Sequence, residues 1–145
     1  MYSIGALSKL TGVKVPTIRY YEQMGLIGHA GRTTGNQRRY GEAERERLAF
    51  IRHARDLGFS IEAIRSLIDL GDHPDRPCGE VNDIARAQLA DVRGRIAQLQ
   101  RLERELARIA TLCDGGGTVD DCHVFAALAD HGLCEGEHEG RAERP

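Results

Sequence analysis

Tryptophan is absent, aromatic residues make up 5% of the chain, and no apolar run approaches the roughly 18 residues that a bilayer span needs. With hydrophobic residues at 41%, so few large rings leave little material for a thick core and favour amphipathic helices over a sandwich of sheets. The missing span argues against a membrane partner. The N-terminus, Met-Tyr-Ser-Ile-Gly, has no basic segment ahead of an apolar one, so secretion is not expected and a cytoplasmic location is. Cysteine is scarce as well: four residues, at 78, 113, 122 and 134, too few and too late for a disulfide scaffold. In a reducing compartment they stay thiols, and their grouping points to metal or redox work. No nucleophile–base arrangement, phosphate-cradling glycine loop or His-Glu-x-x-His pattern occurs, so an enzyme is not expected.

What is present is asymmetric. The 145 residues suit one compact domain plus an extended element, and the net charge of −2 hides two unlike halves. Residues 1–60 hold ten Lys+Arg against five Asp+Glu, whereas residues 61–145 hold ten against seventeen. A basic front half suits a polyanion.

The front half reads as a helix-turn-helix. Ser3 is a candidate N-cap for a short helix with Ile4, Leu7 and Leu10 at helical spacing, and Thr11-Gly12-Val13 makes the turn. A second helix spans 15–24, with Pro16 in its first turn, where a missing N–H costs nothing, and Gly25 as its stop. The turn-rich stretch 28–37 leads into Arg38-Arg39-Tyr40 and predicts a small hairpin, or wing. Helix returns at 42–57, with Leu48, Ile51 and Leu57 on one face and Gly58 closing it. Ser60 then caps another helix through Leu70, striped by Ile61, Ile64, Leu67 and Ile68.

The second helix crowds Lys14, Thr17, Arg19, Tyr20 and Tyr21 into less than two turns. Arg19 can donate a bidentate pair to guanine in a major groove, while Thr17 and Tyr20 suit a phosphate or a thymine methyl. At least one of the two tyrosines is expected in the core. Arg32, Arg38, Arg39 and Tyr40 suit a wing gripping the phosphate backbone, which positions without reading sequence.

Two prolines and a glycine make 71–78 a linker. From Gly79 to Leu112 there is no proline, and Leu89, Val92, Ile96, Leu99, Leu102, Leu106 and Ile109 recur in steps of three and four. That seam indicates a coiled-coil helix, and so long a stripe needs a partner, most simply a second copy of the chain. A glycine-rich loop bounded by Cys113 and Cys122 follows, then a short apolar segment, Val124 to Leu128. The expected organisation is mainly α-helical: a winged helix-turn-helix domain at 1–70, a linker at 71–78 and a dimerisation helix at 79–112. A metal-binding loop with a short helix at 113–128 and an acidic, disordered tail at 129–145 complete it.

The collinear run Ile4-Gly5, Thr17-Ile18-Arg19-Tyr20-Tyr21-Glu22, Gly25-Leu26-Ile27, Arg38-Arg39-Tyr40, Phe50-Ile51-Arg52 and Leu57-Gly58-Phe59-Ser60 resembles the MerR family of metal- and stress-responsive regulators. The likeness covers residues 2 to 128 and is most specific at Thr-Ile-Arg-Tyr-Tyr-Glu. It implies an antiparallel dimer on a palindromic operator set in an overlong promoter spacer of double-stranded DNA. It also implies that effector binding bends and untwists that DNA, bringing the promoter elements into register for RNA polymerase.

On that dimer the cysteines acquire a geometry. Cys78 and Cys113 are 35 positions apart, roughly 50 Å along a continuous helix at about 1.5 Å per residue, so one chain cannot bring both to one ion. An antiparallel pair lays Cys78 of one subunit beside Cys113 and Cys122 of the other, giving two equivalent three-thiolate sites. Three thiolates, with water or a nearby His or Asp as a fourth ligand, suit Zn2+, Cd2+, Pb2+ or Hg2+. Family members that sense Cu+, Ag+ or Au+ carry Ser where Cys78 stands. Cys78-Gly79-Glu80-Val81-Asn82 with the eight-residue cysteine loop resembles the cadmium/lead-responsive subgroup. Mercury sensors share that loop, so a Hg(II)-responsive regulator of metal resistance genes stays open beside the Pb/Cd/Zn reading. His123 and Cys134, with His131 and His138 nearby, are candidate auxiliary ligands, as in zinc-type members. About thirty residues follow Leu112, too few for the pocket domain of an organic-effector sensor. The reading from another class is a metal-binding chaperone or buffer with incidental DNA affinity.

Overall fold

A computed structural model describes residues 1–28, 31–32 and 34–133. The chain divides into two units, Met1–Gln88 and Leu89–Pro145.

The first unit is a helical cluster with one small hairpin. Helix α1, Ile4–Thr11, starts where the Ser3 hydroxyl accepts the Ala6 N–H, and ends on Gly12, whose φ of +73° only glycine adopts readily. Helix α2, Val15–Gln23, carries Pro16 in its first turn and stops before Gly25, at φ +75°. Strands β1, Gly31–Arg32, and β2, Arg38–Arg39, pair antiparallel with Gly31 opposite Arg39. A bridge between Tyr2 and Tyr40 ties the hairpin to the start of the chain. Helix α3, Glu42–Asp56, begins with the Glu44 carboxylate accepting the Gly41 N–H at 2.7 Å. Helix α4, Ile61–Gly71, begins under the Ser60 hydroxyl, which accepts the Ala63 N–H at 3.0 Å.

Leu7, Ile18, Tyr40, Leu48, Ile51 and Ile64 are fully buried and form the centre of the core, with Val13, Tyr21, Leu26, Ile27 and Ala54 around them. Two stripe positions depart from expectation. Leu10 and Leu57 are more than half exposed, at 57% and 56%. Each lies at the end of its helix, where the chain turns away.

Helix α5, Gly79–Ala110, is 32 residues long, and its first ten residues belong to the first unit. In the second unit Leu89, Ile96, Leu99 and Leu106 are exposed along it, while Glu105 and Ile109 are buried. Glu105 accepts from the Arg108 guanidinium at 2.7 Å, so the buried carboxylate is paired. After the glycine loop a 3-10 turn covers Val119–Asp121, helix α6 runs His123–Ala129, and a second 3-10 turn covers His131–Leu133. The acidic tail expected over 129–145 therefore begins with helical and turn residues, and its part from 134 onward lies outside the described residues. Among the described residues no helix is long and apolar enough to cross a membrane.

Candidate metal centre and nucleic-acid interface

Helix α2 has two unlike faces. Ile18 and Tyr21 turn into the core, while Lys14, Arg19 and Tyr20 are exposed and Thr17 is half-buried. The Tyr20 and Tyr21 rings lie 5.9 Å apart and tilted, so the buried ring props the exposed one. Of the two tyrosines, Tyr21 is core and Tyr20 is free to meet a ligand. At the C-terminal end of the helix, Arg65 from α4 donates to the Met24 carbonyl at 2.8 Å. Arg52 from α3 likewise donates to the Thr11 carbonyl at the end of α1. These two cations satisfy carbonyls that each helix leaves open at its C-terminus, and hold both helices in place.

In the wing, Arg32 donates to the Asn36 carbonyl at 3.4 Å and to its side-chain oxygen at 3.2 Å, bracing a turn in which Asn36 has φ +62°. Arg39 is half-buried, and the Arg38 side chain lies outside the described residues. Tyr40 requires a correction. It is 0% exposed, and its hydroxyl donates to Glu22 at 2.6 Å, so it is a core residue joining the wing to α2, with no surface for phosphate. A ring that ends a strand beside two arginines reads as surface in the sequence. What identifies it as core is Glu22, an acceptor eighteen positions away that no local pattern links to it.

The cysteines occupy two places. Cys78 is exposed immediately before α5, its carbonyl accepting the Asn82 N–H at 2.9 Å. It sits on the rim of an apolar cleft of about 470 Å³ lined by Phe50, Leu57, Leu67 and Val81. Arg76 and Glu80, on either side of Cys78 in the chain, form an ion pair at 2.6 Å.

Cys113 and Cys122 are half-buried at the two ends of the glycine loop, whose Gly115 and Gly117 take φ +87° and +83°. Those two left-handed residues reverse the chain and bring the thiols together. The Gly115 N–H donates to Cys113 Sγ at 3.4 Å. Cys122 stands at the N-cap of α6, and its thiol is held below the usual range, first by the Phe125 N–H. The Val124 N–H and the Cys113 thiol act in the same sense, and burial opposes them. His123 is exposed on the first turn of α6, and Cys134 lies outside the described residues. Among the described residues of one chain, no three His, Cys, Asp or Glu side chains gather around a common point.

Comparison with known proteins identifies the family. Residues 2–70 match the model of the MerR HTH family regulatory proteins, and residues 45–109 match that of the MerR DNA-binding region. The chain is 45% identical over 116 residues to the HTH-type transcriptional regulator ZntR of Escherichia coli K12, covering 79% of this chain and 82% of that protein. It is 36% identical over 126 residues to the mercuric resistance operon regulatory protein of Shigella flexneri, covering 87% and 86%. Among solved structures it resembles the transcription regulator PbrR691 of Ralstonia metallidurans CH34 in complex with lead(II). There the TM-score is 0.76 at 39% identity, covering 88% of this chain and 99% of that one. With family models spanning most of its length and relatives this similar, the chain belongs to the MerR family of helix-turn-helix regulators.

Proposed function

We propose that this protein is a dimeric, metal-responsive transcription regulator that binds a two-fold promoter site and activates metal resistance genes when it captures a soft divalent ion. Lys14 at the N-cap of α2 and Thr17, Arg19 and Tyr20 within it read the major groove, and Arg32, Arg38 and Arg39 of the wing hold phosphates. Cys113 and Cys122 of one subunit, with Cys78 of the other, bind the ion; His123 and Cys134 are candidate auxiliary ligands. Effector binding then changes how the two halves of the operator are held, and the DNA deformation activates the promoter.

The observation that carries this reading is the convergence of Cys113 and Cys122 across the loop. Two thiolates leave a soft ion short of the three or four ligands it takes in a closed site. The remaining cysteine of the motif stands at the opposite end of a 32-residue helix, about 48 Å long at the usual rise. A head-to-tail second copy supplies it.

In vitro transcription titrated with Zn2+, Cd2+, Pb2+, Hg2+ and Cu+ tests the reading. Activation is expected with one or more divalent ions and none with Cu+. Cys78→Ser should abolish the divalent response and leave operator binding intact. A normal response from that variant refutes the three-cysteine site. The likeness to a mercuric regulator favours Hg2+ as the second reading, and the same titration separates it. A protein that fails to hold a promoter fragment at physiological salt would instead be a metal buffer.

A further inference from the structure

The turn between α3 and α4 is closed almost wholly by its own groups. The N–H groups of Leu57, Gly58 and Phe59 bond to the carbonyls of His53, Arg55 and Ala54. The Arg55 guanidinium donates to the Phe59 carbonyl at 2.8 Å. The Leu57 carbonyl is different: it accepts the side-chain amide of Gln88 at 3.0 Å, from α5 and 31 positions further along.

Residue 58 is shaped for this contact. Gly58 has φ +88°, and a Cβ there would lie 2.6 Å from the Gln88 amide nitrogen. A side chain at that position would therefore meet both backbone strain and the strut itself. Gln88 falls just outside the apolar seam that begins at Leu89, so packing of the long helix does not account for it. It also stands on α5 ten positions after Cys78, which lies just before that helix in the same unit, roughly 15 Å along the axis.

We infer that Gln88 is a positioning residue: its amide fastens the first turns of α5 to the α3–α4 turn and passes ion capture at Cys78 to the DNA-binding helices. This role rests on the function proposed above. A polar contact changes an induction ratio only if it weights the two states unequally, whereas a merely structural contact changes the affinity for DNA with and without metal alike. The two are therefore separable.

The test uses the full-length protein on a promoter fragment. Induced and uninduced transcripts are measured with the activating ion, and operator affinity is measured without metal. Gln88→Glu keeps the shape and removes the donor; Gln88→Leu removes it with similar bulk, on a position only half-buried, so one of the two can stand in if the other folds poorly. Each should lower the ratio of induced to uninduced transcript by roughly three- to tenfold, the size of one hydrogen bond. Metal-free operator affinity should stay within about twofold of wild type. Gln88→Lys, which retains a donor of comparable reach, should restore the ratio. An unchanged ratio in the Glu and Leu variants overturns the role, as does a fall matched by an equal loss of metal-free affinity, or a Lys variant no better than Leu. A wild-type protein indifferent to every ion overturns the proposed function itself, which distinguishes that failure from this one.

Discussion

Tyr40 and Arg65 do the same kind of work near the C-terminal end of α2. The Tyr40 hydroxyl holds Glu22 in the last turns of the helix, and the Arg65 guanidinium holds the carbonyl of Met24 just beyond its end. A helix only nine residues long owes little of its stability to its own hydrogen bonds, so such tethers set its placement. Tyr40→Phe removes the hydroxyl and leaves the Glu22 carboxylate without that partner. Urea denaturation should show a loss of about 1–2 kcal/mol, with the salt slope of DNA binding unchanged. A smaller slope with unchanged stability would return Tyr40 to the phosphate contacts. This residue also shows where sequence reading stops. Arg-Arg-Tyr at a strand end carries the same pattern whether the ring faces solvent or core, and only the packing of residue 40 against residue 22 decides it.

At the level of elements, the helices were legible because their ends are chemical. Ser3 and Ser60 supply N-caps, Pro16 fits a first turn, and Gly12, Gly25 and Gly58 take the left-handed conformations that end or follow helices. The long helix was legible from its seven apolar residues in steps of three and four, and it runs unbroken through Gly94. Illegible were the contacts between elements: Arg52 on the end of α1, Arg65 on the end of α2, Gln88 on the α3–α4 turn. Each joins residues 31 or 41 positions apart, beyond any periodicity. The seam of α5 carries its own consequence. Leu99 is 61% exposed and Leu106 60% in the single chain, a stripe that a second copy would bury. Leu99→Glu places a charge in that seam. Sedimentation should show it shifted towards monomer at micromolar concentration, with weakened binding to a full operator. A variant that stays dimeric would show that the seam lies elsewhere.

For the whole molecule, the basic front half is less available to DNA than its count suggests. Of the ten cations in residues 1–60, Arg45 pairs with Glu42, while Arg52 and Arg55 donate to main-chain carbonyls. Arg47 pairs with Asp72 at 3.2 Å, so four of the ten are occupied in holding the fold. The slope of log affinity against log salt should therefore fall short of one phosphate per basic residue, at about 0.9 for each phosphate neutralised. Arg39→Ala should reduce it by about one per subunit while weakening all sequences alike. An unchanged slope would remove Arg39 from the backbone contacts.

The meeting of Cys113 and Cys122 has one more consequence. On the proposed arrangement each polypeptide holds part of an ion cage before any metal arrives, and completes it only by borrowing sulfur from its twin. Detection then becomes linked to self-association: ion capture tightens the pair, and a scarcer protein needs more metal to reach the same occupancy. The alarm threshold of such a sensor is set jointly by the chemistry of its thiols and by how many copies the cell keeps.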